Sequence, residues 1–197
     1  MRKDLPWLPT VTGTIPLVVM KDVPAYRAAV ARLAGAFGSW LSPPASGGFT
    51  LEGIATSYWD RKQGILRPVY VHEFVHALVA RATGLSNDGS WLQEGLASWF
   101  QSMLLPQDDL AGVMQRRIAG GKPIRELCDG HRIREQNYGE AMAVVGTLLE
   151  VPRWSGILED VVEQAAQTGS TSLVELGVDL DALDADRRHW ADTRFPL

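Results

Sequence analysis

Two histidines four residues apart with a glutamate between them, His72-Glu73-Phe74-Val75-His76, form the most reactive constellation in the sequence. On an α-helix, positions four apart lie about 40° apart around the axis, so His72 and His76 point the same way and can grip one cation. Glu73, rotated by about 100° from His72, stands beside the pair. Neutral imidazoles suit Zn²⁺, and a neighbouring carboxylate can take the proton of an attacking water without being a ligand itself. By average residue frequencies the motif arises by chance in roughly one chain in two hundred of this length, so its surroundings must decide. Its flanks, Val69-Tyr70-Val71 and Ala77-Leu78-Val79, are apolar and bury the helix. Two histidines and a glutamate inside a core are costly unless they share a task. A metal supplies that task; histidines satisfied within the core are the alternative.

Two histidines need at least one further ligand. Glycine at the third place after the second histidine and histidine at the sixth would complete one pattern, but Val79 and Ala82 stand there. The next candidates are Asp88 and Glu94. Ser90, followed three residues later by Gln93, is a capping-box signal that starts a second helix at Ser90 and sets Glu94 in its first turn. The connection from Gly84 to Ser90 is short, so the two helices pack as antiparallel neighbours whose facing sides can share one ion. Glu94 is the expected third ligand. Three protein ligands leave a position open, where a closed structural site has four. Tyr138 and His131 could donate to a developing oxyanion. Each also has an ordinary reading, as a core tyrosine with a bonded hydroxyl and as a solvated histidine. His189, among Asp and Arg residues, reads as surface, and Trp91 and Trp99 read as core packing on the second helix.

The strands and helices around these groups follow from periodicity. Ile15 to Met20 looks like a buried strand, and Tyr26, Ala29, Val30, Leu33 and Phe37 recur at helical spacing. Pro43 to Gly48 reads as a loop, and Phe49 to Trp59 and Ile65 to Arg67 as strands turning at Asp60 to Gly64. Pro68 suits the first position of the histidine helix and Gly84 its C-cap. From there the pattern is helical almost throughout, with breaks at Pro106, Gly120-Gly121, Pro152 and Gly169.

Composition bounds the rest. The chain has 197 residues, 46% of them hydrophobic, which suffices for one sizeable core and one domain. A formal charge of −4 with no run of Lys and Arg argues against a nucleic-acid partner. Cys128 stands alone, so no internal disulfide is expected. No stretch approaches the roughly 20 apolar residues of a membrane span. Ile15 to Met20 is too short for a signal core, so the expected location is cytoplasmic if the N-terminus is native.

The motif His72-Glu73-Phe74-Val75-His76, together with Trp91-Leu92-Gln93-Glu94-Gly95-Leu96-Ala97, whose Glu94 follows His76 after seventeen intervening residues, resembles the gluzincin branch of the zincin metallopeptidases, which includes thermolysin-like and aminopeptidase-N-like enzymes. The wording around Glu94 is similar to small bacterial peptidase-like domains of that clan. The resemblance implies an α+β, zincin-like fold. It would have a small N-terminal mixed sheet with a helix (about 1–84), the active-site helix, and a mostly helical C-terminal lobe (about 85–197). It implies one Zn²⁺ held by His72, His76 and Glu94, Glu73 as the base in peptide hydrolysis, and Tyr138 as the favoured oxyanion donor. It also implies a peptide or protein substrate laid along an edge strand, here Ile54 to Trp59 with Ala55, Thr56 and Ser57. Two features depart from the branch. Gly53 to Trp59 lacks the carboxylate that anchors a substrate amine in the aminopeptidase group, and Ser98 stands where thermolysin-like members carry an acid that orients a histidine. A binding module that has lost turnover and a structural zinc protein are the competing readings.

Overall fold

The computed structural model describes residues 5, 6, 8–37, 47–60, 69–86, 88–104 and 121–196. These form an α+β structure with a three-stranded sheet and mostly helical content. Strand β1 (Leu17–Met20) leads into α1 (Val23–Phe37), whose start is fixed by Asp22 Oδ1 accepting from the Ala25 amide at 2.8 Å. Tyr26 and Val30, one turn apart, bury the inner face of α1. Strands β2 (Gly48–Leu51) and β3 (Ile54–Tyr58) then form a hairpin, and the sheet order is β1-β3-β2. β1 runs parallel to β3 with Leu17 opposite Ala55, and β2 runs antiparallel with Leu51 opposite Ile54.

Two expectations about the sheet are corrected. Phe49 to Trp59 is not one strand, because the chain reverses at Glu52 and Gly53, with φ of 50° and 72°. Positive φ at both central residues makes the two-residue turn whose twist matches a hairpin, and Glu in that position carries no turn signal. The expected turn at Asp60 to Gly64, apart from Asp60, and the expected strand Ile65 to Arg67 lie outside the described residues. β1 is also not buried: Leu17, Val18 and Val19 are 41%, 37% and 42% exposed. An unbroken apolar run reads as a strand covered on both faces, but β1 is an edge of the described sheet.

Helix α2 (Val69–Thr83) carries the histidine motif and packs against β2 and β3 as well as against the next helix. It ends at Gly84, whose φ of 74° and amide bond to the Ala80 carbonyl at 2.8 Å make a left-handed C-cap. Pro68 lies outside the described residues. α3 (Trp91–Leu104) follows, then the short α4 (Ile124–Leu127), a 3₁₀ turn at Glu135–Asn137, and α5 (Tyr138–Glu150). A second 3₁₀ turn at Pro152–Trp154, α6 (Ile157–Thr168) and α7 (Leu180–Arg194) complete the order, α7 being capped by Asp179 accepting from the Ala182 amide at 3.0 Å.

The core lies where α2, α3, α5 and α7 meet. Trp91 and Trp99 belong to it, and the Trp91 indole donates to the Thr171 carbonyl at 2.7 Å. Fully buried Leu92 and Leu96 each contribute roughly 2 kcal/mol of apolar burial. The α3–α5 approach depends on Gly95, where a Cβ would stand 2.6 Å from the Ala141 carbonyl oxygen. That contact sets the depth of the neighbouring residue, Glu94. No described helix is long and apolar enough to cross a membrane.

Candidate metal centre

α2 buries the face that holds Val75, His76 and Val79, and this carries His72 and Glu73 inward with it. α3, buried along most of its circumference, brings Glu94 to the same place from the opposite side. The helix start expected at Ser90 is where α3 begins, but the expected capping box is not formed. The Ser90 amide is taken by Asp88 Oδ1 at 2.8 Å, the Gln93 amide group donates instead to the Ser86 carbonyl, and the buried Ser90 hydroxyl has no partner among the described residues. Asp88, the rejected ligand candidate, is thus occupied as a turn residue.

His72 Nε2 lies 3.0 Å and His76 Nε2 3.4 Å from the same oxygen, Glu94 Oε2. The imidazole rings meet edge to face with centroids 4.6 Å apart. One ligand atom from each of the three residues can be chosen so that all lie within 4.8 Å of one another, a grouping that could hold a metal ion. Ligands about 2.0–2.1 Å from a tetrahedral cation are separated by about 3.3 Å, so the two distances onto Glu94 fit the edges of such a site. Among the described residues the buried His76 Nδ1 has no hydrogen-bond partner, so Ser98 does not orient this ring. His72, Glu73, His76 and Glu94 are 8%, 6%, 3% and 5% exposed, a depth at which two carboxylates demand positive charge nearby.

The two carboxylates are pushed apart electrostatically. Burial alone would raise Glu94, but hydrogen bonding with His72 and His76 overcomes it and brings the carboxyl down to about 2. Glu73 is raised, because burial outweighs the lowering influence of His72, His76 and the Thr50 hydroxyl, and the Glu94 charge adds to the rise. Glu94 is thus favoured in its anionic form, and Glu73 is the more basic of the two carboxylates. Thr50 Oγ1 on β2 lies 2.8 Å from the Glu73 carbonyl and 2.9 Å from Glu73 Oε2, within donating reach of either. β2 comes this close because residue 48 is glycine; a Cβ there would stand 2.6 Å from Glu73 Cγ.

Tyr138 is the first residue of α5, and its ring stacks on His72 with centroids 5.7 Å apart and planes 15° from parallel. Burial and then the Glu94 charge raise its phenol, so the hydroxyl keeps its proton and stays a donor. His131 is exposed in the loop before α5, with its amide bonded to Asp129. His189 is exposed on α7. Ala55, Thr56 and Ser57 are buried on β3, the central strand, whose backbone is paired on both sides with β1 and β2. The expected substrate edge is therefore not β3, whose ladder bonds are already made; among the described residues β2 is the edge beside Glu73.

Sequence reasoning missed Thr50, Gly48 and Arg132. The first two reach Glu73 only through the packing of sheet on helix. Arg132 comes to the centre through an isolated bridge to Ser90, a long-range pairing with no local signal. Comparison with protein-family models, with curated proteins and with solved structures gives no match.

Proposed function

We propose that this chain is a zinc-dependent peptidase with a zincin-like fold, a single catalytic domain spanning 1–197 with lobes at about 1–84 and 85–197. The observation that carries the reading is the convergence of three buried ligand atoms from His72, His76 and Glu94, with the carboxylate of Glu73 beside them but outside the group. His72, His76 and Glu94 would hold one Zn²⁺, matching two imidazoles and a carboxylate with one coordination position to spare. When bound, that ion would supply Lewis-acid polarisation of a substrate carbonyl and acidify a water toward a pKa of about 7.

Glu73 accepts the proton of the attacking water and returns it to the departing amine. Its burial matters here, since a carboxylate of raised basicity is the better acceptor. Thr50 Oγ1 lies within hydrogen-bond reach of Oε2 and restrains the carboxylate. Tyr138 presents a protonated hydroxyl beside Glu94 and donates to the oxyanion developing on the substrate carbonyl. An extended peptide would add to the β2 edge, where backbone pairing gives affinity with little demand on side chains. No basic stripe is present to recruit nucleic acid.

A second reading, a zinc-holding module without turnover, draws on the unpartnered Nδ1 of His76, because tight metal enzymes usually fix that proton with a carboxylate or carbonyl. Hydrolysis of a mixed peptide substrate by zinc-loaded protein separates the two. The peptidase reading expects turnover that falls by at least about a hundredfold in Glu73→Gln while zinc is retained. Undiminished turnover in zinc-replete Glu73→Gln would remove Glu73 from the chemistry.

A further inference from the structure

The segment after α4 returns to the metal centre. Ser90 and Arg132 form an antiparallel bridge, and the Ile133 amide donates to the Gly89 carbonyl at 3.0 Å. This pairing lays the Arg132 side chain over Gly89. The point where a Cβ on Gly89 would stand is 3.2 Å from Arg132 Cγ, 3.3 Å from Arg132 Nε and 3.5 Å from Glu94 Oε1. Any side chain at residue 89 would crowd the arginine, and its φ of 76° independently favours glycine. The guanidinium is close enough to act electrostatically on the Tyr138 hydroxyl.

Arg132 is exposed and, among the described residues, has no hydrogen bond or ion pair. Arg153, Arg187 and Arg188 each grip an aspartate instead. An unspent planar fork of donors at the rim of the metal centre, reachable from outside, suits a planar anion, and a carboxylate is the form in which a peptide carries one at its end.

We propose that Arg132 anchors the free C-terminal carboxylate of a peptide substrate, so that the bond presented to the centre is the last one of the chain. This rests on the peptidase reading above. In the reaction, water adds across that amide bond: the carbonyl carbon gains oxygen, the nitrogen leaves with a proton, and one free amino acid departs from a shortened peptide.

The test uses zinc-loaded Glu73→Gln protein, which should bind without turnover, titrated calorimetrically with an N-acetylated tripeptide as free acid and as C-terminal amide. The free acid should bind about tenfold or more tightly than the amide. Arg132→Gln in the same background should bring the acid to the level of the amide and leave amide binding unchanged, with Arg132→Lys recovering part of the preference. Equal affinity for acid and amide, no binding of either, or a preference that survives Arg132→Gln overturns the proposal; the last outcome would place the carboxylate elsewhere. Hydrolysis by the wild-type chain is read separately. Acid preference without any hydrolysis keeps the anchor and removes the peptidase reading, whereas equal hydrolysis of acid and amide keeps the peptidase and removes the anchor.

Discussion

Two groups of charged residues with buried members, one on α7 and one between α2 and α3, are built on opposite principles. On α7, Arg187 is fully buried and its charge is answered within one turn: Nη2 meets Asp184 Oδ1 at 2.6 Å, and Arg188 meets the other oxygen of Asp184 at 2.9 Å. Only Nη1 of Arg187 lacks a partner. That cluster closes on itself. Between α2 and α3, His72 and His76 aim at one oxygen of Glu94 while a second carboxylate, Glu73, is kept out of the group by Thr50. That cluster points at a shared space. A buried charge is common to both and so identifies neither; convergence of ligand atoms distinguishes the centre that could hold a metal ion.

The largest effects should come from changes that break the converging cluster. His76→Ala should abolish stoichiometric zinc and with it any hydrolysis, and Glu94→Gln should weaken zinc retention before chemistry, because an amide is a poor replacement for a carboxylate on Zn²⁺. Elemental analysis after dialysis reads both, and full zinc in either variant would contradict the ligand set. Tyr138→Phe should lower kcat by about ten- to a thousandfold with little change in KM. If thermal unfolding shifts and kcat does not, Tyr138 is a core residue stacked on His72 and nothing more.

The closed cluster should answer differently. Arg187→Leu should cost about 2 kcal/mol of stability, since it leaves Asp184 without its inner partner, and should leave zinc content unchanged. Denaturant unfolding with metal analysis checks this, and lost zinc would show that the two clusters are not independent. The smallest effect concerns acid. Burial tends to raise Asp184, but hydrogen bonding and charge from Arg188 and Arg187 hold its carboxyl below the ordinary value. Its contribution to stability is therefore present above the unfolded carboxyl pKa of about 3.9 and lost as pH falls through the lower folded value. Part of the loss of stability between about pH 4 and more acid conditions should be missing in Asp184→Asn, as melting temperatures across that range would reveal.

Much of the centre was legible because helix geometry is local. Spacing alone puts His72 and His76 on one side of α2, and the start of α3 at Ser90 brings Glu94 into its first turn. What failed depended on partners distant in sequence. The capping box at Ser90 and Gln93 lost to bonds with Asp88 and Ser86. The turn at Glu52-Gly53 uses a glutamate at positive φ, and β3 proved to be the central strand once β1 paired beside it. Apolar β1 read as buried because sequence reports how apolar a strand is, not whether anything covers it.

Every role assigned to this centre requires a metal at His72, His76 and Glu94. Chelator-treated protein titrated with zinc, followed by thermal unfolding and elemental analysis, should take up about one zinc per chain and gain stability as the ion fills, because a ligand bound only by the folded state raises its stability. Protein that retains no zinc and whose unfolding is unmoved by added zinc would contradict those roles.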